Sequence, residues 1–194
     1  MRFQAALILS FFVFMTIHSE AQLDSHLSSK RHRIAFYAGA GPNYYFNNLV
    51  LARDQVNPFN YSFVGRFMWE PEHLLSLGLE SGYYCLYNVK QSGLGGAQIT
   101  NFAIPIQVVI YMKFLKSFYF GFAIGRSIIL NKVKNSNEGN FNAQSWSLAD
   151  FTETLGYKVL LNERMYLGGE FKFFYSSKLK DKNLALVLLW GYRF

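Results

Sequence analysis

The chain has 194 residues, of which 51% are hydrophobic, 19% aromatic and only 16% charged. Soluble globular domains carry about 25% charged residues, so this composition argues against an ordinary water-facing surface. Beyond the amino-terminal segment, no apolar run approaches the roughly 20 residues of a membrane-spanning helix. The hydrophobicity is therefore spread over short segments, which is typical of strands.

The first 21 residues have the features of a cleavable signal peptide. Arg2 supplies a positive end, residues 5–14 are apolar apart from one serine, and Ser19 and Ala21 place small residues at positions −3 and −1 of a cleavage site. A retained membrane anchor is the weaker alternative because the apolar run is short. Residues 22–32 are polar and without a period, and they are predicted to be a flexible periplasmic lead-in. Export also makes anionic lipid or polysaccharide a better partner than nucleic acid for a chain of net charge +7.

From Arg33 onward, large apolar residues alternate with small or polar ones at period two, which predicts strands. The eight predicted strands are 33–46, 61–70, 74–88, 98–114, 117–131, 144–161, 164–176 and 184–194. Their connections are alternately long and short, as in outer-membrane barrels, whose extracellular loops are long and whose periplasmic turns are short. The long connections are 47–60, 89–97, 132–143 and 177–183. Residues 33–194 are therefore predicted to form an all-β fold in the cell outer membrane, an eight-stranded antiparallel up-and-down transmembrane β-barrel.

Alternation of apolar and polar residues does not show which face contacts lipid, because a soluble lipocalin-type barrel also alternates, with its apolar face inward. The composition of the second face distinguishes the two barrels. In the strand 117–131 the second face carries no charge, and it consists of Tyr119, Gly121, Ala123, Gly125 and Ser127. A water-facing surface normally carries Lys and Glu, whereas small residues suit the crowded lumen of a narrow barrel. The large apolar face is therefore predicted to contact lipid.

Three residues do not fit a regular barrel. Arg126 and Glu153 take the lipid-facing register, where an arginine at the bilayer midplane costs about 2–4 kcal/mol. Either a β-bulge shifts the register near each residue, or both residues lie at the outer rim beside the headgroups. Pro105 removes a ladder hydrogen bond in a strand that has neighbours on both sides, so it is expected to mark a bulge.

The carboxyl end carries an aromatic series. Phe194 is preceded at alternate positions by Tyr192 and Trp190. This arrangement resembles the carboxyl-terminal β-signal that the outer-membrane assembly machinery reads. The resemblance implies that these three residues form an assembly signal and that the barrel-assembly machinery is a partner.

Further patterns along the barrel are shared with a known family. They are the stretch 102–106 (FAIPI), Tyr111, the strand with Gly121 and Gly125, and the opening Gly39-x-Gly41. With them, residues 33–194 resemble the porin-family outer-membrane β-barrel domain, in its PorT-like and OmpX/OmpA-like forms. The family is functionally mixed, so the resemblance implies fold and location. A role in a surface or secretion complex follows by analogy alone.

The chain offers little for catalysis or metal binding. Enzymatic outer-membrane barrels use a histidine beside a Ser, Asp or Glu near the outer rim. Here His18 belongs to the signal peptide, His26 and His32 precede the barrel, and His73 falls in a short periplasmic turn. With Cys85 as the one cysteine, no internal disulfide is possible. We therefore expect no enzymatic activity, no catalytic residue, no metal site and no cofactor.

Four charged residues take the inward register and form the predicted lumen charge network: Arg66, Glu80, Glu170 and Lys172. One interpretation is a set of salt bridges that fills the interior, and the other is a selectivity element in a narrow pore. Eight strands leave an interior just wide enough for side chains, which favours the first. The predicted function is a structural or surface-interaction role for a barrel with a plugged lumen. The alternative is a narrow porin-like channel for ions or very small solutes.

The predicted outer loops are basic. They carry seven cationic residues against three acidic ones, namely Arg53, Lys90, Lys132, Lys134, Lys178, Lys180 and Lys182 against Asp54, Glu138 and Asp181. Such charges are either simply solvated or attract the phosphates of lipopolysaccharide. The aromatic residues around the first loop are predicted to form an interfacial girdle.

Overall fold

The computed structural model describes residues 33–46, 56–71, 74–90, 97–114, 117–135, 139–178 and 180–194. The predicted signal peptide, the lead-in and residues 47–55 lie outside the described residues. Ten strand segments are present: β1 (Arg33–Phe46), β2 (Val56–Asn57), β3 (Phe59–Glu70), β4 (Leu75–Lys90), β5 (Ala97–Lys113), β6 (Phe118–Asn135), β7 (Gly139–Trp146), β8 (Asp150–Leu160), β9 (Met165–Ser176) and β10 (Asp181–Arg193). In the part of the chain that the structure describes, no helix is long and apolar enough to cross a bilayer.

The ten segments make eight barrel strands because two of the strands are interrupted. Segments β2 and β3 both pair with β4, and β7 and β8 both pair with β6. Every pairing is antiparallel, and successive strands of the eight are neighbours in the sheet. The first and last strands, β1 and β10, close the ring by pairing with each other from Ala35↔Arg193 to Phe46↔Lys182. The predicted eight-stranded up-and-down barrel is confirmed.

Period-two alternation separates the two faces of the wall, as the sequence predicts. On β10, Leu188 is 67% exposed, whereas its neighbours Val187 and Leu189 are each 1% exposed. A closed barrel pairs every strand on both sides, so no sheet edge faces the hydrocarbon of a bilayer. The apolar side chains of the outer face suit contact with that hydrocarbon. This combination of a closed wall and an apolar outer face defines the transmembrane barrel architecture.

The prediction of a loop over residues 132–143 is wrong for most of that range. Segment β6 continues to Asn135 and pairs with β7, with Lys132 opposite Asn142 and Lys134 opposite Asn140. Among the described strands, β7 pairs with β6 alone. Segment β9 ends at Ser176, opposite Asp150 at the start of β8. The β6–β7 hairpin therefore extends past the level at which the β9 side of the wall ends. Its outward residues are polar, so hydrophobic periodicity gives no strand signal there.

Arg126 keeps the outward register, and the irregularity lies on the neighbouring strand. Ile128 pairs with Trp146 while Gly125 pairs with Asp150, so one extra residue is accommodated between β7 and β8. The Arg126 Nε donates to the Ser147 carbonyl oxygen at 3.0 Å. Lys178, in the turn between β9 and β10, donates to the adjacent Trp146 carbonyl at 3.4 Å. Arg126 is thus level with that turn, at the rim of the β8–β9 side of the wall.

The expectation that Pro105 marks a bulge is wrong. Pairing of β5 with β6 runs in unbroken register through Pro105↔Ser127. The bulge lies on β4, where the register with β5 shifts between Cys85 and Tyr87. The Pro105 carbonyl is directed towards β4 and accepts a hydrogen bond from the Ser81 hydroxyl at 2.8 Å. The missing N–H of Pro105 therefore leaves the ladder between β5 and β6 intact.

Glu153 shows no register shift. It pairs with Phe122 on one side and Phe173 on the other, and its side chain is exposed on the apolar outer face. A bulge therefore does not account for this residue.

Candidate functional site

Register brings two of the four predicted lumen charges side by side. Arg66 on β3 pairs directly with Glu80 on β4. Glu170 and Lys172 lie two residues apart on β9, so both point to the same, inner face of the wall. Strand β9 is on the other side of the ring from β3 and β4. Because an eight-stranded barrel is narrow, long side chains from these opposite walls can meet across it.

The four side chains form a connected group of ion pairs, here called the lumen quartet. Arg66 lies 3.2 Å from Glu80 and also pairs with Glu170. Lys172 Nζ lies 2.6 Å from Glu80 Oε1 and 3.7 Å from Glu170 Oε2. All four residues are at most 4% exposed. The quartet contains two cations and two carboxylates, so it is neutral as a unit, and each charge contacts both opposite charges.

Three tyrosines surround the Arg66 guanidinium. Its carbon lies 4.4 Å from the ring centre of Tyr111, 5.0 Å from that of Tyr37 and 5.9 Å from that of Tyr119. The guanidinium also donates to the Tyr111 and Tyr119 hydroxyl oxygens, and the Tyr119 hydroxyl donates to Glu170. Cation–π contacts and charged hydrogen bonds strengthen where water is excluded, so they offset part of the cost of burying Arg66.

Each of these tyrosines lies over a glycine of the adjacent strand. Tyr37 pairs with Gly191, Tyr111 with Gly121 and Tyr119 with Gly156. A methyl group added at any of these glycines would overlap the tyrosine ring above it. The small residues that the sequence places on the inner face thus make room for the rings that hold Arg66. Sequence reasoning placed Tyr119 on the inner face but missed the contacts of all three tyrosines with Arg66.

Apolar side chains lie on both sides of the lumen quartet along the barrel axis. Towards the end with both described termini, the buried group includes Met68, Val109, Tyr166 and the three tyrosines. Towards the opposite end, Tyr84 and Phe174 stack with their ring centres 4.9 Å apart. Around this pair lie Val64, Leu86, Ala103, Ile129, Ala185 and Val187. The quartet is therefore enclosed between two layers of packed side chains.

A second charged group lies near the end of the barrel with the termini. Lys158 Nζ is 2.6 Å from Glu70 Oε1, and Arg193 is 3.6 Å from Glu70 Oε2. The Tyr37 hydroxyl donates to Glu70 at 2.6 Å, so this group adjoins the quartet's tyrosines. Sequence reasoning missed Glu70 and Lys158. Inward parity on β3 and β8 would have found both residues.

The predicted assembly-signal residues lie at the end of β10. Trp190 is exposed on the outer face, and the Phe194 side chain is 73% exposed. The Phe194 backbone N–H donates to the Ile34 carbonyl at 2.9 Å, which fastens the last residue to β1. The rings of Tyr192 and Phe194 lie 5.2 Å apart. Their reading by an assembly machinery stays a prediction. Elsewhere, the described residues contain no group of three or more His, Cys, Asp or Glu side chains placed to hold a metal ion.

Two solved structures of one outer-membrane barrel share this fold. The attachment invasion locus protein Ail of Yersinia pestis, in complex with the heparin analogue sucrose octasulfate, superposes with a TM-score of 0.52 and 11% identity, over 84% of this chain and 99% of that one. A second Ail structure gives a TM-score of 0.51 and 9% identity over the same shares. The amino-terminal β-barrel domain of Pseudomonas aeruginosa OprF gives 0.47 and 12% identity, over 86% of this chain and 100% of that domain.

At such low identity the likeness concerns the fold alone. No family model and no curated protein matches the chain. The eight-stranded barrel fold is therefore shared with these structures, and membership of the porin family, in its PorT-like or OmpX/OmpA-like form, stays a prediction.

Proposed function

We propose that the chain is an integral outer-membrane barrel with a closed interior, and that it has a structural or surface-interaction role. The observation that carries this proposal is the neutral lumen quartet, buried between two layers of packed aromatic and aliphatic side chains. A conducting pore needs a continuous water-filled path. Rings and paired charges that span the interior from opposite walls oppose such a path.

The outer membrane is favoured over a soluble location by the exterior of the barrel. Large apolar side chains such as Phe63, Leu79, Ile106 and Leu188 are more than half exposed around the wall. Soluble monomers rarely expose contiguous apolar patches larger than a few hundred Å². A lipid environment removes this surface from water, and the predicted signal peptide supplies the export route.

Lipopolysaccharide is the proposed partner at the outer rim. Arg126, Lys132 and Lys178 are exposed, and Trp146 lies beside two of them, with the Arg126 guanidinium carbon 5.7 Å from its ring centre. Cations next to an aromatic ring at the edge of an apolar band suit the phosphates and acyl chains that meet at a membrane interface. The barrel-assembly machinery is proposed as a transient partner through Trp190, Tyr192 and Phe194. A surface or secretion complex is a further candidate partner.

Cell fractionation with a mobility-shift test addresses the proposal. We expect the chain in the outer-membrane fraction, with a gel mobility that changes on boiling and a β-rich circular dichroism spectrum. Recovery of a soluble chain from the periplasm would reject the membrane assignment. Conductance recordings distinguish the closed barrel from the alternative narrow channel.

A further inference from the structure

A cavity of about 270 Å³ lies at the end of the barrel where β1 begins and β10 ends. It is lined by Arg33, Glu70, Pro71, Lys113 and Arg193. Pockets for drug-sized ligands occupy about 300–1,000 Å³. The cavity is therefore sized for a small ion or for the headgroup of a larger molecule.

The charges around this cavity are not balanced. Three cations and one carboxylate line it, and Lys158 contacts that carboxylate, Glu70, at 2.6 Å. Four cationic side chains thus lie around one carboxylate, whereas the lumen quartet has two charges of each sign. A partly enclosed excess of one charge sign concentrates counter-ions.

Glu70 is already occupied by other groups. It accepts hydrogen bonds from Lys158 and from the Tyr37 hydroxyl, and Arg193 lies 3.6 Å from it. Arg33 and Lys113 form no ion pair within 4.0 Å with any residue that the structure describes. Two cations therefore line the cavity without a carboxylate of their own.

The neighbouring sequence supplies no net negative charge. The adjacent short turns contribute Glu72 and Lys116, one charge of each sign. The predicted lead-in, which joins the barrel at Arg33, carries Asp24 against Lys30 and Arg31. Among the described residues that line the cavity, Glu70 is thus the one acidic side chain, and it is already paired.

We propose that this cavity binds a phosphate-class anion through Arg33, Lys113 and Arg193. Guanidinium groups present a planar fork that matches phosphate oxygens, and a lysine adds a point charge. The phosphate could be carried by a free ester or by the headgroup of an anionic phospholipid. This inference rests on the proposed function for one point, the location of the cavity on the periplasmic side. Phospholipid headgroups and soluble phosphate esters both reach it there.

Titration calorimetry on the folded mature barrel in phosphate-free maltoside micelles tests the site, with sn-glycerol 3-phosphate and inorganic phosphate as probes. We expect saturable binding at low salt that weakens as salt rises. The double variant Arg33→Gln/Lys113→Gln should lower the affinity by about tenfold or more, because two charged hydrogen-bond donors are lost. The variant should still fold, since neither residue has an ion-pair partner among the described residues.

The matched control is Lys180→Gln/Lys182→Gln, which removes the same charge at the opposite end of the barrel. Its affinity should stay within about twofold of wild type, because those residues lie more than a Debye length away. Absence of saturable binding to wild type, or an equal loss in the control, would overturn the site.

A second measurement separates the two sources of phosphate. In vesicles, spin-labelled phosphatidylglycerol should be enriched around the wild type over phosphatidylcholine if the headgroup is the ligand, and the double variant should lose that enrichment. Phosphate binding in micelles without lipid selectivity assigns the site to a free anion. Because the micelle experiment does not depend on cellular location, a periplasmic chain that still binds phosphate would reject the proposed location and retain the site.

Discussion

At the scale of single residues, the lumen quartet is the feature that sets the energetics of the interior. Four full charges are buried in the lumen, and the described contacts that stabilise them come from one another, from tyrosine hydroxyls and from the tyrosine rings around Arg66. Burying such a group intact costs little net free energy, but removing one partner leaves an uncompensated charge. The quartet is therefore more sensitive to single substitutions than to paired ones.

We predict that Glu80→Ala lowers the free energy of unfolding in lipid by about 3–5 kcal/mol, because Arg66 and Lys172 lose a shared partner. Lys132→Ala, on the exposed outer hairpin, should change it by less than about 0.5 kcal/mol. Urea titrations of both variants in phospholipid vesicles measure the difference.

The paired change Lys172→Met/Glu170→Gln removes one charge of each sign, so it should cost less than the sum of its single changes. Equal effects for Glu80→Ala and Lys132→Ala, or strict additivity in the paired change, would contradict a coupled quartet.

For Glu153 we expect the opposite effect on stability, because its replacement should raise the free energy of unfolding. Its carboxylate lies on the outer face between Phe122 and Phe173, where a charge opposes contact with hydrocarbon. Glu153→Leu should raise the free energy of unfolding in phospholipid vesicles, by about 1 kcal/mol if the residue is at the depth of the acyl chains. The same substitution at exposed Glu163, in the turn between β8 and β9, is the control and should give no gain. A loss of stability on changing Glu153 would show that the carboxylate has a required partner.

At the scale of strands, the pairing of tyrosine with glycine across neighbours positions the quartet. Each ring of Tyr37, Tyr111 and Tyr119 occupies the space that a larger side chain in place of the paired glycine on the adjacent strand would fill. Gly156→Ala should therefore displace Tyr119 and cost about 1–3 kcal/mol of stability. Gly65→Ala on β3 is the matched control, because a methyl group there meets no atom within 4 Å. Equal effects of the two substitutions would show that the ring contacts are unimportant.

The carboxyl-terminal strand carries a prediction about assembly. Phe194 is largely exposed and is fastened by one backbone hydrogen bond to Ile34, so it adds little to the packed interior. Deleting Phe194 should lower the yield of folded barrel in cells, while the purified, refolded barrel should keep nearly wild-type stability. The heat-dependent gel shift measures both quantities. Unchanged assembly in cells would show that the resemblance to an assembly signal is accidental.

Sequence periodicity predicted the wall of the barrel well, for a physical reason. Lipid on one side and a crowded lumen on the other impose opposite demands on successive residues, so burial on β10 alternates from Asp181 to Gly191. The same parity placed Arg66, Glu80, Glu170 and Lys172 on the inner face, and they meet across the barrel.

Prediction failed where neither lipid nor lumen constrains the side chains. The β6–β7 hairpin has Lys132, Lys134 and Asn142 on its outward face, so backbone hydrogen bonding alone reveals it as paired strand. The bulge on β4 lies within the apolar run around Leu86, which carries no local signal. Glu70 and Lys158 lie near the ends of β3 and β8, and sequence reasoning missed them although both have inward parity.

At the scale of the whole molecule, the account depends on the interior being closed. The quartet bridges opposite walls, and packed rings lie above and below it. The outer face, the rim cations and the terminus-side cavity are then the surfaces proposed to contact partners. An open lumen would instead make the quartet a charged constriction that selects ions.

Planar-bilayer recording of the purified wild-type barrel tests this claim most directly. The closed interior predicts no steady conductance above the bilayer background across a range of salt concentrations and voltages, with heat-modifiable protein confirmed in the same sample. Glu80→Ala should add brief openings, because it removes part of the quartet. A large, steady and reproducible conductance from the wild type would contradict the closed barrel and establish the narrow channel in its place.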